Sequence, residues 1–243
     1  MTVTDVTPKG GQPVGLVTGS KPFAGLPTNP AEILLPHVDG LVFDGIRIVS
    51  VATPVDFGRL PTLLPGLVDR YRPAFVVSLG LALGAAVVRV EQMAINIAHF
   101  GVADNVGNQP VNQPHTPGGA DGMLASWDGP PIVAALLKAG VPAVGSFHAG
   151  THLCNFTLYT LLAALQAQGR PQVPCGFFHL PYLPEQIVQF MQDRGRTPQK
   201  APLAPVDLPS MALDLQITAV KTLLAAVAQQ AVARGTHHPH PPS

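Results

Sequence analysis

Ala74-Phe75-Val76-Val77-Ser78-Leu79 decides how this chain folds. Only Ser78 in that run is polar, Pro73 precedes it and Gly80 follows it. A short, continuously apolar stretch of this kind reads as a strand covered on both faces, as in a parallel sheet flanked by helices. Upstream, Val14-Gly15-Leu16-Val17-Thr18 reads as a first buried strand and residues 46–52 as a second. Between them, Asn29-Pro30-Ala31-Glu32 sets an N-cap residue, a proline at the first helical position and an acid at the third, which predicts a helix to about His37. A proline-interrupted helix is expected over residues 56–71. Downstream, residues 87–97 alternate as a strand or hairpin does, and a helix over 132–139 stops at Gly140. Residues 142–146 read as a strand. Leu158, Leu161, Leu162 and Leu165 recur at helical spacing before Gly169; residues 173–180 form another strand and 211–233 a long final helix.

Strands alternating with helices through short links predict an α/β/α sandwich with a mostly parallel, twisted sheet, a single domain over residues 14–233. Residues 99–131 carry Gly, Asn, Pro and Asp throughout and suggest no element; a loop of that length inside a compact domain has a task or moves. Residues 1–13 are expected to be a flexible N-terminus. Residues 234–243, with three histidines and three prolines, are expected to be a disordered tail.

Composition excludes some classes of function. Fourteen basic residues balance fourteen acidic ones, so there is no cationic excess for nucleic acid or an anionic membrane. Charged residues are only 12% of the chain against 47% hydrophobic ones, which favours a homo-oligomer that hides part of its surface. Residues 1–12 have no apolar core of a secretory signal, and no uninterrupted apolar run of about 18 residues suggests a membrane span. The two cysteines are expected to stay reduced, and the protein to be cytoplasmic. The 27 prolines are about twice the usual share and fall mainly at element ends.

The chemistry concentrates in Ala149-Gly-Thr-His-Leu-Cys154-Asn155 and Cys175-Gly-Phe-Phe-His179-Leu-Pro-Tyr. Gly150-Thr151 makes a tight turn into a helix, where unpaired backbone N–H groups can receive an oxyanion. A thiol is activated at a helix N-terminus and beside an imidazole, so Cys154 is the candidate nucleophile against the bland alternative of a small buried residue. Asn155 adds a polar group that a structural cysteine would not require. Cys175, inside a buried strand, reads as structural. His179 closes a strand expected to run in the same sense as the one before Cys154, where sites of open α/β sheets collect, and is the candidate base. His148 and His152 compete for that role; as a metal pair they would need helical geometry that the glycine turn denies, so no metal is expected. Glu91 sits in an apolar strand and must be paired or protonated. Orienting the imidazole and pairing with Arg89 on the same strand face are equally good outlets. The segment Thr18-Gly-Ser20-Lys-Pro-Phe23-Ala-Gly25 lacks the spacing of a phosphate loop.

Taken together, these segments resemble the type I pyroglutamyl peptidases (pyrrolidone-carboxylate peptidases). Thr18 to Gly25 with Asn29-Pro30 is similar to that family's opening motif. Val90-Glu91-Gln92-Met-Ala-Ile-Asn96 and the Cys154 and His179 segments resemble its site motifs, and Asp104-Asn105 and Asp128-Gly-Pro130 fall in the same order. The resemblance implies Cys154 as nucleophile, His179 as base and Glu91 as orienting acid, with Phe23, Asn29, Ser20 and Leu81 on the substrate side. It implies peptides with an N-terminal pyroglutamate as substrates, no cofactor, a cytoplasmic location and a tetramer. The chain departs from the family at Ser20 (an aromatic), at Leu81 and Ala85 (a glutamine and an arginine), and at Gln92 and Gly101 (arginines). Those changes touch the region that holds the lactam. They leave open a cysteine hydrolase of another N-terminal acyl specificity, or a binding protein without activity.

Overall fold

The computed structural model describes residues 11–196 and 207–236. Its centre is a seven-stranded sheet built on β1 (Val14–Ser20), β2 (Val42–Phe43), β3 (Ile46–Thr53), β4 (Phe75–Leu81), β5 (Val88–Glu91), β8 (Ala143–Ser146) and β9 (Cys175–Leu180), in the order β2-β3-β1-β4-β9-β5-β8. The strands β6 (Met93–Ile95) and β7 (Gly122–Leu124) pair apart from it, antiparallel. The helices are α1 (Pro30–Leu34), α2 (Leu60–Tyr71), α3 (Gly129–Lys138), α4 (Leu153–Ala167), α5 (Pro184–Arg196) and α6 (Leu213–Ala233).

The apolar run at 74–79 becomes β4, in the middle of the sheet, parallel to both neighbours β1 and β9. Its alternation feeds two cores. Phe75, Val77 and Leu79 join α1, α3 and α6 on one face, while Val76 packs with α2 and α4 on the other. The α/β/α sandwich and mostly parallel sheet expected from sequence are therefore present. Helix α6 has the length and apolarity of a membrane span, but Ala219, Val220, Leu223, Leu224, Val227, Ala228 and Ala231 are fully buried in the first core, the pattern of a core helix.

Several local expectations are corrected. The stretch expected as an extended or hairpin strand over 87–97 divides at Gln92 into β5 and β6, which belong to different sheets, because Gln92 N–H bonds Ser146 O while the next residues turn to β7. Strand β7 lies inside residues 99–131, where the sequence suggests no element. Helix α2 starts at Leu60 and not at Asp56, whose carboxylate instead accepts the N–H groups of Gly58 and Arg59 in a turn before it. Helix α5, with Pro184 at its start and Glu185 in its first turn, was not expected at all.

Strand direction needs the largest correction. β8 is parallel to β5, and β5 is antiparallel to β9, so the strand before Cys154 runs opposite to the one ending at His179. The link between Leu81 and Val88 is too short for the helical crossover that a parallel return requires. Of the expected tail, Arg234 follows α6, and Thr236 donates its hydroxyl to Ala74 O and Ala231 O. The rest of the tail, and residues 1–10 of the expected flexible N-terminus, lie outside the described residues.

Candidate active site

The sheet's alternation assembles the site. Val88 and Val90 of β5, and Phe178 and Leu180 of β9, point into the α1/α3/α6 core, which sends Glu91 and His179 to the opposite face. There His179 Nδ1 lies 2.8 Å from Glu91 Oε1, with the glutamate 0% and the histidine 6% exposed. Arg89 shares the face, as alternation predicts, but acts on Glu91 only through longer-range charge. Of the two outlets left open for Glu91, the geometry chooses the imidazole.

Cys154 arrives from above. Although β8 points away from the end of β9, residues 147–152 fold back, pinned where His99 N–H donates to Thr151 O and Thr151 Oγ1 donates to His99 O. Gly150 takes φ +83°, a left-handed conformation that suits glycine, and α4 begins at Leu153. Cys154 thus sits in the first turn of α4, half-buried, above the C-terminal ends of β4 and β9. A Cβ on Gly80, the residue that pairs with His179, would stand 3.1 Å from Cys154 Sγ and 2.6 Å from the Phe177 ring. The glycine therefore makes the space in which the thiol approaches the histidine, a role the sequence reading missed.

Electrostatics couple the three groups. Burial alone would push the His179 pKa down, but the charge and hydrogen bond of Cys154, with the hydrogen bond and charge of Glu91, raise it to about 9. For Glu91, burial acts upward and is outweighed chiefly by the His179 hydrogen bond and charge, with Arg89 adding a more distant charge, so the carboxyl falls below its usual range. At the helix start, His152 occupies the N-cap position without a side-chain bond to the first turn. The first-turn N–H groups therefore receive no cap from the His152 side chain.

The substrate-side residues divide. Phe23 stacks on His152 with centroids 6.0 Å apart, and His152 lies 4.1 Å from Phe100, which comes from the long loop after β6. Phe23 also packs against the small cluster of Leu81, Tyr182 and Ile187. Ser20 ends β1, half-buried, with no hydrogen bond from its hydroxyl among the described residues. Asn29 is 1% exposed; its Oδ1 caps α1 by accepting from Ala31 N–H, and its Nδ2 donates to Lys21 O. Its side chain thus ties the start of α1 to the segment that leads to Phe23. Asn155 is likewise structural, accepting from Ile95 N–H and donating to Ile95 O. Cys175 is fully buried, its thiol pushed far up by desolvation. Ala85 is buried, Gly101 is exposed with open space at its Cα, and the Gln92 side chain lies against Gly129.

Two further residues organise the loop. Asp104 accepts four bonds, from Phe57 N–H, Val106 N–H, Asn108 N–H and Asn108 Nδ2. Asn105 Nδ2 donates to Pro22 O at 2.8 Å, next to Phe23. His152 Nε2 contacts Val102 O in the same loop.

Comparison with known proteins places this geometry. The family model described as pyroglutamyl peptidase matches residues 14–230. The chain belongs to the pyroglutamyl peptidase family. The pyrrolidone-carboxylate peptidase of Yersinia pestis (strain Pestoides F) is 38% identical over 173 residues, which cover 71% of this chain and 80% of that protein. The Yersinia pseudotuberculosis (strain YPIII) protein of the same name matches to the same extent. Among solved structures, a mutant pyrrolidone carboxyl peptidase from the hyperthermophile Pyrococcus furiosus superposes with a TM-score of 0.81 at 28% identity, covering 89% of this chain and 99% of that one. Structures of the Pyrococcus furiosus peptidase and its cysteine-free mutant match with a TM-score of 0.80 at 28% identity, over 90% and 99% of the respective chains. The pyroglutamyl peptidase fold is thus present through the sheet and both helical layers, and the Cys154, His179 and Glu91 segments lie inside the matched range.

Proposed function

We propose that this member of the pyroglutamyl peptidase family is a cysteine peptidase that releases N-terminal pyroglutamate from peptides, with Cys154 as nucleophile, His179 as base and Glu91 as the acid that orients His179. The observation that carries this is the buried Glu91–His179 hydrogen bond lying beneath a cysteine in the first turn of a helix. Nδ1 of His179 is occupied by Glu91, which leaves Nε2 to take the Cys154 proton. The thiolate attacks the carbonyl carbon that follows the lactam ring, and the oxyanion turns to the unpaired N–H groups at the start of α4. The imidazolium gives its proton to the leaving amine as the C–N bond breaks, leaving a thioester. His179 then deprotonates water, which attacks the thioester, and pyroglutamate departs as Cys154 regains its proton.

The lactam ring is uncharged, and Phe23, His152 and Phe100 offer it an aromatic wall. Release of aminocoumarin from a pyroglutamyl-aminocoumarin amide by the wild type, and none by Cys154→Ser, is the expected result. No release by the folded wild type would remove the substrate assignment. Cleavage of a different acyl-aminocoumarin would instead assign another acyl specificity to a pocket altered at Leu81 and Ser20.

The protein acts in the cytoplasm, where its two free cysteines remain reduced, and assembles as a tetramer. Support for assembly comes from the apolar surface that the edge strand β8 shares with α3, where Phe147 is 69%, Leu137 56% and Val144 44% exposed. Light scattering on the purified chain tests the assembly, and a monomeric mass would overturn it.

A further inference from the structure

Glu91 is fully buried, and His179 takes only one of its oxygens; Oε2 accepts no hydrogen bond from any described residue. A buried carboxylate oxygen without a donor is costly, and such an oxygen is ordinarily served by a neighbour or by water. The neighbour is at hand. Ser146 is the direct partner of Glu91 in the parallel β5–β8 register, so the two side chains leave the same face of the sheet. The short bond from Gln92 N–H to Ser146 O, 2.6 Å, fixes the two backbones against each other at this point. Ser146 Oγ accepts a long bond of 3.4 Å from His148 N–H, and its own proton goes to no other acceptor among the described residues.

We infer that Ser146 is a positioning residue of this site: its hydroxyl donates to Oε2 of Glu91 and so holds the carboxylate with Oε1 on His179. The inference rests on the reading of Glu91 and His179 as a relay. The hydroxyl favours the ionised carboxylate, in keeping with the depressed Glu91 pKa, to which the His179 bond and charge contribute more. The same oxygen, accepting from His148, ties the acid to the turn that delivers Cys154. The other charged or titratable groups acting on this pair are Arg89 from β5 and Cys154 from α4. Trp127 Nε1 bonds the Glu91 backbone carbonyl and leaves the carboxylate alone.

The test is the pH profile of pyroglutamyl-aminocoumarin hydrolysis by Ser146→Ala, Ser146→Thr and Ser146→Val in the full chain, beside Glu91→Gln. Losing one charge-assisted bond should lower kcat about ten-fold in the alanine and valine variants, with KM within about two-fold. The alkaline limb of the profile should also move to lower pH, because a less firmly held carboxylate supports the imidazolium less well. Threonine, which restores the hydroxyl, should restore both rate and limb; valine matches its shape and should not. A simple packing defect would leave the limb where it is. A folded variant without the hydroxyl that keeps the wild-type rate and limb overturns the inference, while loss of activity in Glu91→Gln would leave the relay standing. If Glu91→Gln itself keeps the wild-type rate and profile, the relay fails and the role of Ser146 goes with it.

Discussion

His179 Nδ1 and Glu91 Oε1 meet at 2.8 Å on the sheet's second face, both residues buried. An imidazole held this way has its tautomer and ring orientation set, and it gains most when it becomes positively charged. Glu91→Gln keeps the shape and removes the charge. We expect kcat to fall roughly 10³–10⁴-fold, by analogy with loss of the acid in a triad. His179 should fall from its raised value of about 9, so the alkaline limb of activity moves to lower pH. Stability has a sign as well. The raised histidine contributes fully below its ordinary 6.5 and loses that contribution as pH climbs through 9, while the lowered glutamate contributes fully above its ordinary 4.5. The melting-temperature gap between wild type and Glu91→Gln should therefore be widest near pH 5–6 and shrink toward pH 9, as read by thermal melts across buffers.

Gly80 holds the opening between His179 and Cys154. Its Cα hydrogen points where a methyl would strike the Phe177 ring at 2.6 Å and crowd the thiol at 3.1 Å. Gly80→Ala should lower stability by about 1–3 kcal/mol, the usual range for forced overpacking. It should also cut kcat more than ten-fold, because a small misplacement of a nucleophile is enough for that. Slower alkylation of Cys154 by iodoacetamide in the folded variant would show the displacement directly; an unchanged alkylation rate would mean that the thiol is not held at Gly80.

What could be read in advance follows from range. The β4 run, the capped α1 and the leucine periodicity of α4 are local signals, and each lies where it was expected. Strand direction was misjudged because a loop from Leu81 to Val88 looks like any other link until its length is set against what a crossover needs. The partner of Glu91 could not be chosen, since alternation puts Arg89 on the same face, and only the β5–β9 register brings His179 in. Ser146, Gly80 and Phe100 carry no local signal of membership in the site, because each matters through contacts with segments far along the chain; His152 competes for the base role in sequence and lies instead against Phe23 and Phe100. Helix α5 opens on Pro-Glu, a local start signal that its sequence carries as plainly as that of α1.

Asn105 clips the long loop to the Phe23 turn through Pro22 O, while Asp104 folds that loop with four accepted bonds. Neither side chain makes a recorded bond to Cys154, His179 or Glu91, so their substitution should act on binding. Asn105→Ala is expected to raise KM about ten-fold with kcat changed less than three-fold, as loss of uniform binding does. Asp104→Asn turns one acceptor oxygen into a donor facing N–H groups, and should raise KM further. Steady-state kinetics on the aminocoumarin amide separates the two parameters. A fall in kcat at constant KM would assign the loop to the chemical step instead.

His115 is the acid-sensitive point of the same region. Its Nε2 lies 2.9 Å from Asn155 Nδ2, its Nδ1 is buried without a partner, and its ring packs among Phe57, Phe156 and Tyr159. Burial lowers its pKa to about 4 from 6.5. The unfolded chain therefore binds this proton first, so the contribution is complete above 6.5 and is lost as pH falls toward 4. His152, also lowered by burial, acts in the same direction. His115→Phe keeps an aromatic ring and removes the titration, while Asn155 Nδ2 still has Ile95 O and Ile97 O to bond. Between pH 7 and 4 the wild type should therefore lose more melting temperature than His115→Phe. Parallel declines in the two proteins would show that His115 takes up its proton in the folded state as readily as in the unfolded chain.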